Sequence, residues 1–439
     1  MIVAAASPMV ANPTMGCVDD RGRLFVGDSV GVNWSTKKFE SETPGRVVML
    51  EDRDGDGVFD RSTVFADGLT VPKGACWLDG SLYVASPPGI WKFTDTDGDG
   101  VADQRKLLVG GFQWTANGAD VHGPWAHPDG RLYWTHGRKG HDVKQTDGTL
   151  VHKGLASGVW SMRPDGADVR WHSLICGDNP TGLAIAPTGE LFGTCNLYNG
   201  VPRYDTIGQW QLGGIYTRPD FLHIVADQLR THLQMPLVAN LGHLVPSGCA
   251  LWSRGPELAP ALAASADNLH LMVALYNSKK VIRLELQKEG AGYRASEHDF
   301  LTLTKTGAHL TDVVEAPDGS LLVLDTGTWY PHCPSTLLNS ANVPGGIYRV
   351  RPIKPVALAP AKPSPYRELT DDDIARDLGS ADSAVARRAC EQLTFRLVGT
   401  TAARAALLTL LDKPLDPFLE HAAEYAAMKT QAKIGRAHV

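Results

Sequence analysis

A β-propeller of six blades followed by a short helical segment is the fold this sequence predicts, and three observations lead to it. A turn running into a short apolar strand recurs six times: Gly22-Arg23-Leu24-Phe25-Val26, Gly80-Ser81-Leu82-Tyr83-Val84, Gly130-Arg131-Leu132-Tyr133-Trp134, Gly189-Glu190-Leu191-Phe192-Gly193, Asn268-Leu269-His270-Leu271-Met272-Val273 and Gly319-Ser320-Leu321-Leu322-Val323. Each is followed by a second strand that leaves a glycine or lysine: Gly45-Arg46-Val47-Val48, Gly89-Ile90-Trp91-Lys92, Gly158-Val159-Trp160-Ser161, Gly214-Ile215-Tyr216-Thr217, Lys280-Val281-Ile282-Arg283 and Gly346-Ile347-Tyr348-Arg349. Past Pro352 the pattern stops, prolines crowd, and apolar residues take up helical spacing. Short strands repeated between Gly and Asp turns build a radial array of small sheets. Six repeats give six blades.

Each blade then needs an innermost strand, and small residues suit the crowded centre of the ring. These strands are expected at Pro13-Thr14-Met15-Gly16-Cys17, Pro72-Lys73-Gly74-Ala75-Cys76, His122-Gly123-Pro124-Trp125, Pro180-Thr181-Gly182-Leu183, Pro246-Ser247-Gly248-Cys249 and Thr311-Asp312-Val313-Val314. Outermost strands are expected at 62–66, 106–109, 169–172 and 300–303. The sixth blade lacks one of its own. Residues 1–5 precede Pro13 as Val64-Phe65 precede Pro72, so the N-terminus is expected to complete that blade and remove an exposed sheet edge. Long insertions fall between second and third strands at 28–44, 135–157, 194–213 and 325–345, all on the face where the chain enters each innermost strand. Long loops gathered on one face of a rigid scaffold mark it as the working face.

The formal charge is −6, without a basic cluster, which argues against nucleic acid as a partner. No apolar run approaches the roughly 20 residues of a membrane helix. The seven cysteines form no Cys-x-x-Cys pair, which excludes a zinc ribbon and a covalent haem motif here. Cys17, Cys76 and Cys249 fall on apolar strands and read as buried thiols. The start of the chain lacks the basic n-region and length of a signal peptide.

Two acidic ladders stand out. Asp52-Arg53-Asp54-Gly55-Asp56-Gly57-Val58-Phe59-Asp60 recurs as Asp95-Thr96-Asp97-Gly98-Asp99-Gly100-Val101-Ala102-Asp103. Carboxylates at loop positions 1, 3, 5 and 9 with glycine at 6 match the front of an EF-hand loop. Thr63 and Lys106 stand where its glutamate belongs, so the loops look more like the acidic turns of dockerins or thrombospondin repeats. Structural calcium on Asp52, Asp54, Asp56 and Asp60, and on Asp95, Asp97, Asp99 and Asp103, is the reading taken. The alternative is a solvated hairpin turn, as at Arg163-Pro164-Asp165-Gly166 in the third blade.

With blades and ladders placed, the chain resembles the large secreted "membrane-bound dehydrogenase" proteins of Planctomycetes and Verrucomicrobia. The resemblance rests on 45–60 with Phe65-Ala66-Asp67-Gly68-Leu69, on 82–103, on 178–180 through 189–195, on Tyr276-Asn277-Ser278-Lys279-Lys280-Val281, and on 311–314 through 325–330. It covers the chain up to Met428. It implies a TolB-like propeller related to soluble quinoprotein glucose/sorbosone dehydrogenases, with HEAT-like helices and, in full-length members, a haem-binding domain. A periplasmic or extracellular location, a sugar or polyol substrate, pyrroloquinoline quinone (PQQ) as hydride acceptor and a cytochrome partner follow from it. In the sugar-dehydrogenase relatives an innermost-strand histidine takes the hydroxyl proton. A carbohydrate-binding or protein-interaction scaffold without turnover is the alternative. A metal-dependent lyase or lactonase lacks the acids and histidines it would need on the innermost strands.

At the channel mouth the innermost strands offer Thr14, Lys73, His122, Thr181, Ser247 and Asp312. His122, the one histidine, is the candidate base, with a merely hydrogen-bonded channel histidine as the alternative. Lys73, Arg138, His141, Arg203, Asp312 and Asp325 are the candidate cofactor- or substrate-binding residues. Lys139, Tyr204 and Asp205 lie beside them, and Trp329, Tyr330 and His332 suit a sugar-stacking wall. Solvated charge and turn capping are the plainer readings for these loop residues.

The expected boundaries are a propeller over 1–352, a proline-rich linker over 353–367, and partial HEAT-like repeats over 368–433. Residues 434–439 resemble a sequencing adapter read in one frame. The chain is therefore expected to be a fragment, with an export signal upstream and further repeats downstream.

Overall fold

The computed structural model describes residues 1–29, 31–32, 34–116, 118–200, 202–217, 219–225, 231, 234–259, 262, 268–328, 343–352, 364–396 and 399–430. Trp329, Tyr330 and His332, residues 353–363 of the linker and the 434–439 tail lie outside these. Six sheets form the blades, innermost strand first. Blade one is Pro13–Val18, Leu24–Asp28, Gly45–Glu51 and Arg61–Leu69; blade two is Ala75–Leu78, Ser81–Ser86, Gly89–Thr94 and Gln104–Val109. Blade three is Val121–Ala126, Leu132–His136, Ser157–Met162 and Arg170–Cys176, and blade five is Pro246–Leu251, Leu269–Leu275, Lys280–Glu289 and Gly292–Thr302. Blade six, Leu310–Glu315, Leu321–Asp325 and Gly346–Val350, takes Ile2–Ala6 as its outer strand, Ile2 opposite Arg349 and Ala6 opposite Gly346. The ring is closed as expected.

Blade four departs from the sequence reading. Its strands are Asn179–Ile185, Leu191–Gly200, Arg203–Gln209 and Ala239–Gly242. The exit strand is Arg203–Gln209, not 214–217, and the supposed 194–213 insertion is mostly a strand hairpin. Ile215–Thr217 instead pairs in parallel with Arg170–Cys176 as a fifth strand of blade three. Tyr216 and Trp210 pack edge-to-face at 4.7 Å in the core beneath blades three and four, which anchors this apolar strand beside blade three.

A bulge interrupts the innermost strand of five blades, between Pro13 and Gly16, His122 and Trp125, Asn179 and Gly182, Pro246 and Cys249, and Leu310 and Asp312. Bulges leave residues out of the ladder and re-aim their side chains. Here they present Thr14, Met15, Thr181, Ser247 and Thr311 to the channel. Hydroxyls from this ring donate across blades to a proline at or just before the start of the next innermost strand: Thr14 to the Pro72 carbonyl at 2.7 Å, Thr181 to Pro246 at 3.2 Å and Thr311 to Pro13 at 3.4 Å.

Each ladder loop clasps the preceding blade. The Phe59 N–H donates to the Ala4 carbonyl and the Ala102 N–H to the Phe65 carbonyl, both at 2.8 Å. These are matching positions in the two ladders, and each bond reaches the neighbour's outer strand. Phe59 is wholly buried among blade-one and blade-six side chains, so the first clasp also fastens the N-terminal strand.

Helices Asp371–Asp377, Ser383–Arg396, Thr401–Leu411 and Pro417–Lys429 follow the predicted spacing, with Thr370, Thr400 and Asp416 capping three of them. Their apolar faces share one core with blades three and four: Ile374, Leu393, Leu407 and Ala423 join Tyr133, Leu191 and Trp210. A buried ion pair, Arg387 to Glu190 at 2.6 Å, fixes the second helix to the blade-four turn. His421 bonds the Leu212 carbonyl from the fourth helix.

Candidate functional site

The channel opens on the long-loop face into a cavity lined by Thr14, Met15, Lys73, Gly118, His122, Asn179, Thr181, Asn196, Val245, Pro246, Ser247, Tyr276 and Thr311. Because the Thr14, Thr181 and Thr311 hydroxyls are engaged across blades, the available polarity concentrates on blades two to five.

Lys73 and His122 are brought together by a close approach of two backbones. A side chain on Gly74 would stand 2.5 Å from the Gly123 carbonyl oxygen, and both glycines have positive φ. Blades two and three can therefore touch here and set their second residues side by side. Lys73 Nζ lies 2.7 Å from Asp120 Oδ2, and both side chains are almost fully buried. Asp120 is held in turn by the Thr115 N–H at 2.7 Å.

His122 Nε2 lies 3.0 Å from the Gly118 carbonyl oxygen. A carbonyl only accepts, so Nε2 carries the hydrogen and Nδ1 keeps its lone pair. Nδ1 is buried with no hydrogen-bond partner. Burial, then the neighbouring Lys73 ammonium, press the imidazole pKa down to about 3. The ring is therefore neutral at ordinary pH: its protonation state suits a base, while its low basicity limits the proton transfer it can drive.

Two amides complete the cavity. Asn179 and Asn196 sit opposite each other on adjacent strands of blade four, and the Asn196 Oδ1 is buried without a hydrogen-bond partner. The sequence reading missed both, along with Asp120 and Tyr276. Asn179 stands immediately before the Pro180 of its innermost strand, and that position was the available signal.

The other predicted residues are not in the cavity. Asp312 was placed at this mouth; it lines the opposite end of the channel, beside Cys17, Cys76 and Cys249. The bulge at Leu310/Asp312 puts Thr311 at the cavity position, and the next residue then falls on the other side. The Asp312 carboxylate accepts from the Gly16 and Val313 N–H groups at 3.2 and 2.9 Å. Arg138 pairs with Asp178 at 2.8 Å and lies over the Phe221 ring. His141 is buried beside Trp160 and Trp171, 2.7 Å from His152 Nδ1. Arg203 begins the blade-four exit strand. Asp325 is fully buried, bonded to the His309 and Gly327 N–H groups and to Lys305 at 2.9 Å, so it pins a loop. Asp205 does the same for Leu197, Leu244 and Val245.

In each ladder three carboxylates converge: ligand atoms of Asp52, Asp54 and Asp56, and of Asp95, Asp97 and Asp99, lie within 4.8 Å of one another. The ninth-position acids stand apart. Asp60 accepts from Arg53 Nε at 2.6 Å and Asp103 from Thr96 Oγ1 at 2.6 Å, which holds both carboxyls below the ordinary range.

Comparison with known proteins agrees with this architecture. The model of a domain of unknown function (DUF7133) matches residues 1–213, just under half of the chain. No curated protein matches. Among solved structures, the PQQ-bound aldose sugar dehydrogenase of Streptomyces coelicolor is similar with a TM-score of 0.55 at 16% identity, over 80% of this chain and 97% of that one. An oxidoreductase (glucose dehydrogenase) of Thermus thermophilus gives 0.54 at 16%, over 79% and 98%. The PQQ domain of a pyranose dehydrogenase from Coprinopsis cinerea gives 0.50 at 13%, over 80% and 94%. The fold is the six-bladed propeller that these sugar dehydrogenases also have. No helix among the described residues is long and apolar enough to cross a membrane.

Burial raises the Asp312 pKa from 3.8 to about 7. A raised folded-state value means the contribution is complete below about pH 4 and is lost as pH rises through about 7. Chemical denaturation from pH 4 to 8 should therefore show the wild type losing stability relative to Asp312→Asn as pH rises. A stability difference independent of pH would contradict the assignment.

Proposed function

We propose that this chain is the propeller module of a dehydrogenase-like protein and takes a sugar or polyol in the cavity at the long-loop end of its channel. The observation that carries the reading is the cavity's polarity: His122 with a bare Nδ1, the Asn179 and Asn196 amides, Ser247 and Tyr276, set in a ring of engaged hydroxyls. Such a wall exchanges hydrogen bonds with hydroxyl groups and requires no charge on the ligand. His122 is the residue to accept a bond, and in turnover a proton, from a substrate hydroxyl.

PQQ, which the family resemblance implies, carries three carboxylates. Among the described lining residues Lys73 is the single lysine or arginine, and Asp120 already matches it. These residues do not fit that group, and the role of His122 is derived without it. A carbohydrate-binding scaffold is the second reading, favoured by the low basicity of His122. An extracytoplasmic location, a cytochrome partner and domain limits near 352 and 368 belong to the same proposal. So does structural calcium on the two three-carboxylate clusters.

Calorimetric titration with neutral sugars and polyols should find saturable binding that His122→Ala weakens about tenfold, with an artificial electron acceptor reporting any oxidation. Failure of every neutral polyol to bind, or unchanged binding by the variant, would defeat the reading. Added calcium should raise the melting temperature of the wild type and not that of the Asp54→Asn/Asp97→Asn double variant; equal responses would return the ladders to plain turns.

A further inference from the structure

The charges around the cavity balance with little to spare. Lys73 is buried, and its ammonium is committed to an equally buried Asp120 carboxylate at 2.7 Å. His122, next to it, is neutral. Every other described lining residue is uncharged. Further out, Arg46 is held by Asp28, Arg138 by Asp178 and Lys305 by Asp325. The sixth-blade insertion, 325–345, contains no arginine or lysine in its sequence. Each of these cations therefore already has its anion.

A tricarboxylate entering this cavity would leave water without meeting an uncommitted cation among the described lining residues. Burying unpaired carboxylates is costly, and pulling Lys73 away would strand Asp120 instead. Neutral hydroxyl groups meet no such penalty, because amide, imidazole and hydroxyl partners replace their water. We infer that the cavity discriminates against polyanions by charge, and that the chain does not retain PQQ there although it shares its fold with PQQ-bound dehydrogenases. The inference rests on the Proposed function only for the location of the site.

The test is equilibrium ultrafiltration of the full chain with PQQ, with and without calcium, beside a separate titration with neutral sugars. The expected result is no saturable PQQ retention by the wild type. Retention should appear in Asp120→Asn, which leaves the Lys73 charge uncancelled, or in Asn196→Lys, which adds a cation to the same wall should the first variant fold poorly. PQQ held by the wild type at one equivalent, and released by Lys73→Met, would overturn the inference. PQQ exclusion with sugar binding supports both proposals. Exclusion without sugar binding supports charge discrimination while ending the sugar reading. Two folded variants that still reject PQQ would show that charge is not the barrier and would also overturn the inference.

Discussion

The bulge in the innermost strand is the constraint on which the rest of the molecule depends. A regular strand at the axis would turn alternate side chains away from the channel mouth. One or two residues out of register change that in five of the six blades. Where such a residue is threonine, its hydroxyl ties one blade to the proline carbonyl of the next. Where it is not, a side chain remains for chemistry, as with Ser247; His122 stays in register opposite Thr135, at the edge of the blade-three bulge. Lys73 reaches the same level in blade two through Gly74. Structure and candidate function therefore divide a single ring of positions between them.

Closure is handled at the periphery. The N-terminal strand completes blade six, and the first ladder loop then clasps it through the Phe59 N–H. The second ladder repeats the clasp one blade on, through the Ala102 N–H. Deleting a side chain as buried as Phe59 typically costs about 3–5 kcal/mol, a large share of a folded domain's stability. The helices brace blades three and four from the side away from the long loops. Their buried Arg387–Glu190 pair sets where they dock more than how strongly, since desolvation offsets much of an enclosed pair's attraction.

Much of this was legible in the sequence. The strand phrases, the innermost strands, the N-terminal closure and the capped helices all follow from turn chemistry and periodicity, which are local. Blade four was misread because Gly214-Ile215-Tyr216-Thr217 has the right local form, and only packing against blade three decides which sheet it joins. Asp312 was misplaced by one residue because a bulge shifts register without any composition signal. Arg138, His141 and Asp325 were sensible ligands by residue type. Each is taken up by a neighbour, Asp178, His152 and Lys305, that sequence spacing does not reveal. His122 and Lys73 line the cavity as the sequence places them, because they are the only basic residues in the stretches read as innermost strands. Asn179 and Asn196 were missed because an amide does not announce itself.

A crystal structure of the chain soaked with its tightest-binding neutral sugar tests the account most directly. The account predicts a ligand hydroxyl within hydrogen-bond distance of His122 Nδ1, with further bonds from Asn179 and Asn196 and the Lys73–Asp120 pair intact. A sugar seated elsewhere on the propeller, or His122 turned away from the Gly118 carbonyl, would contradict it.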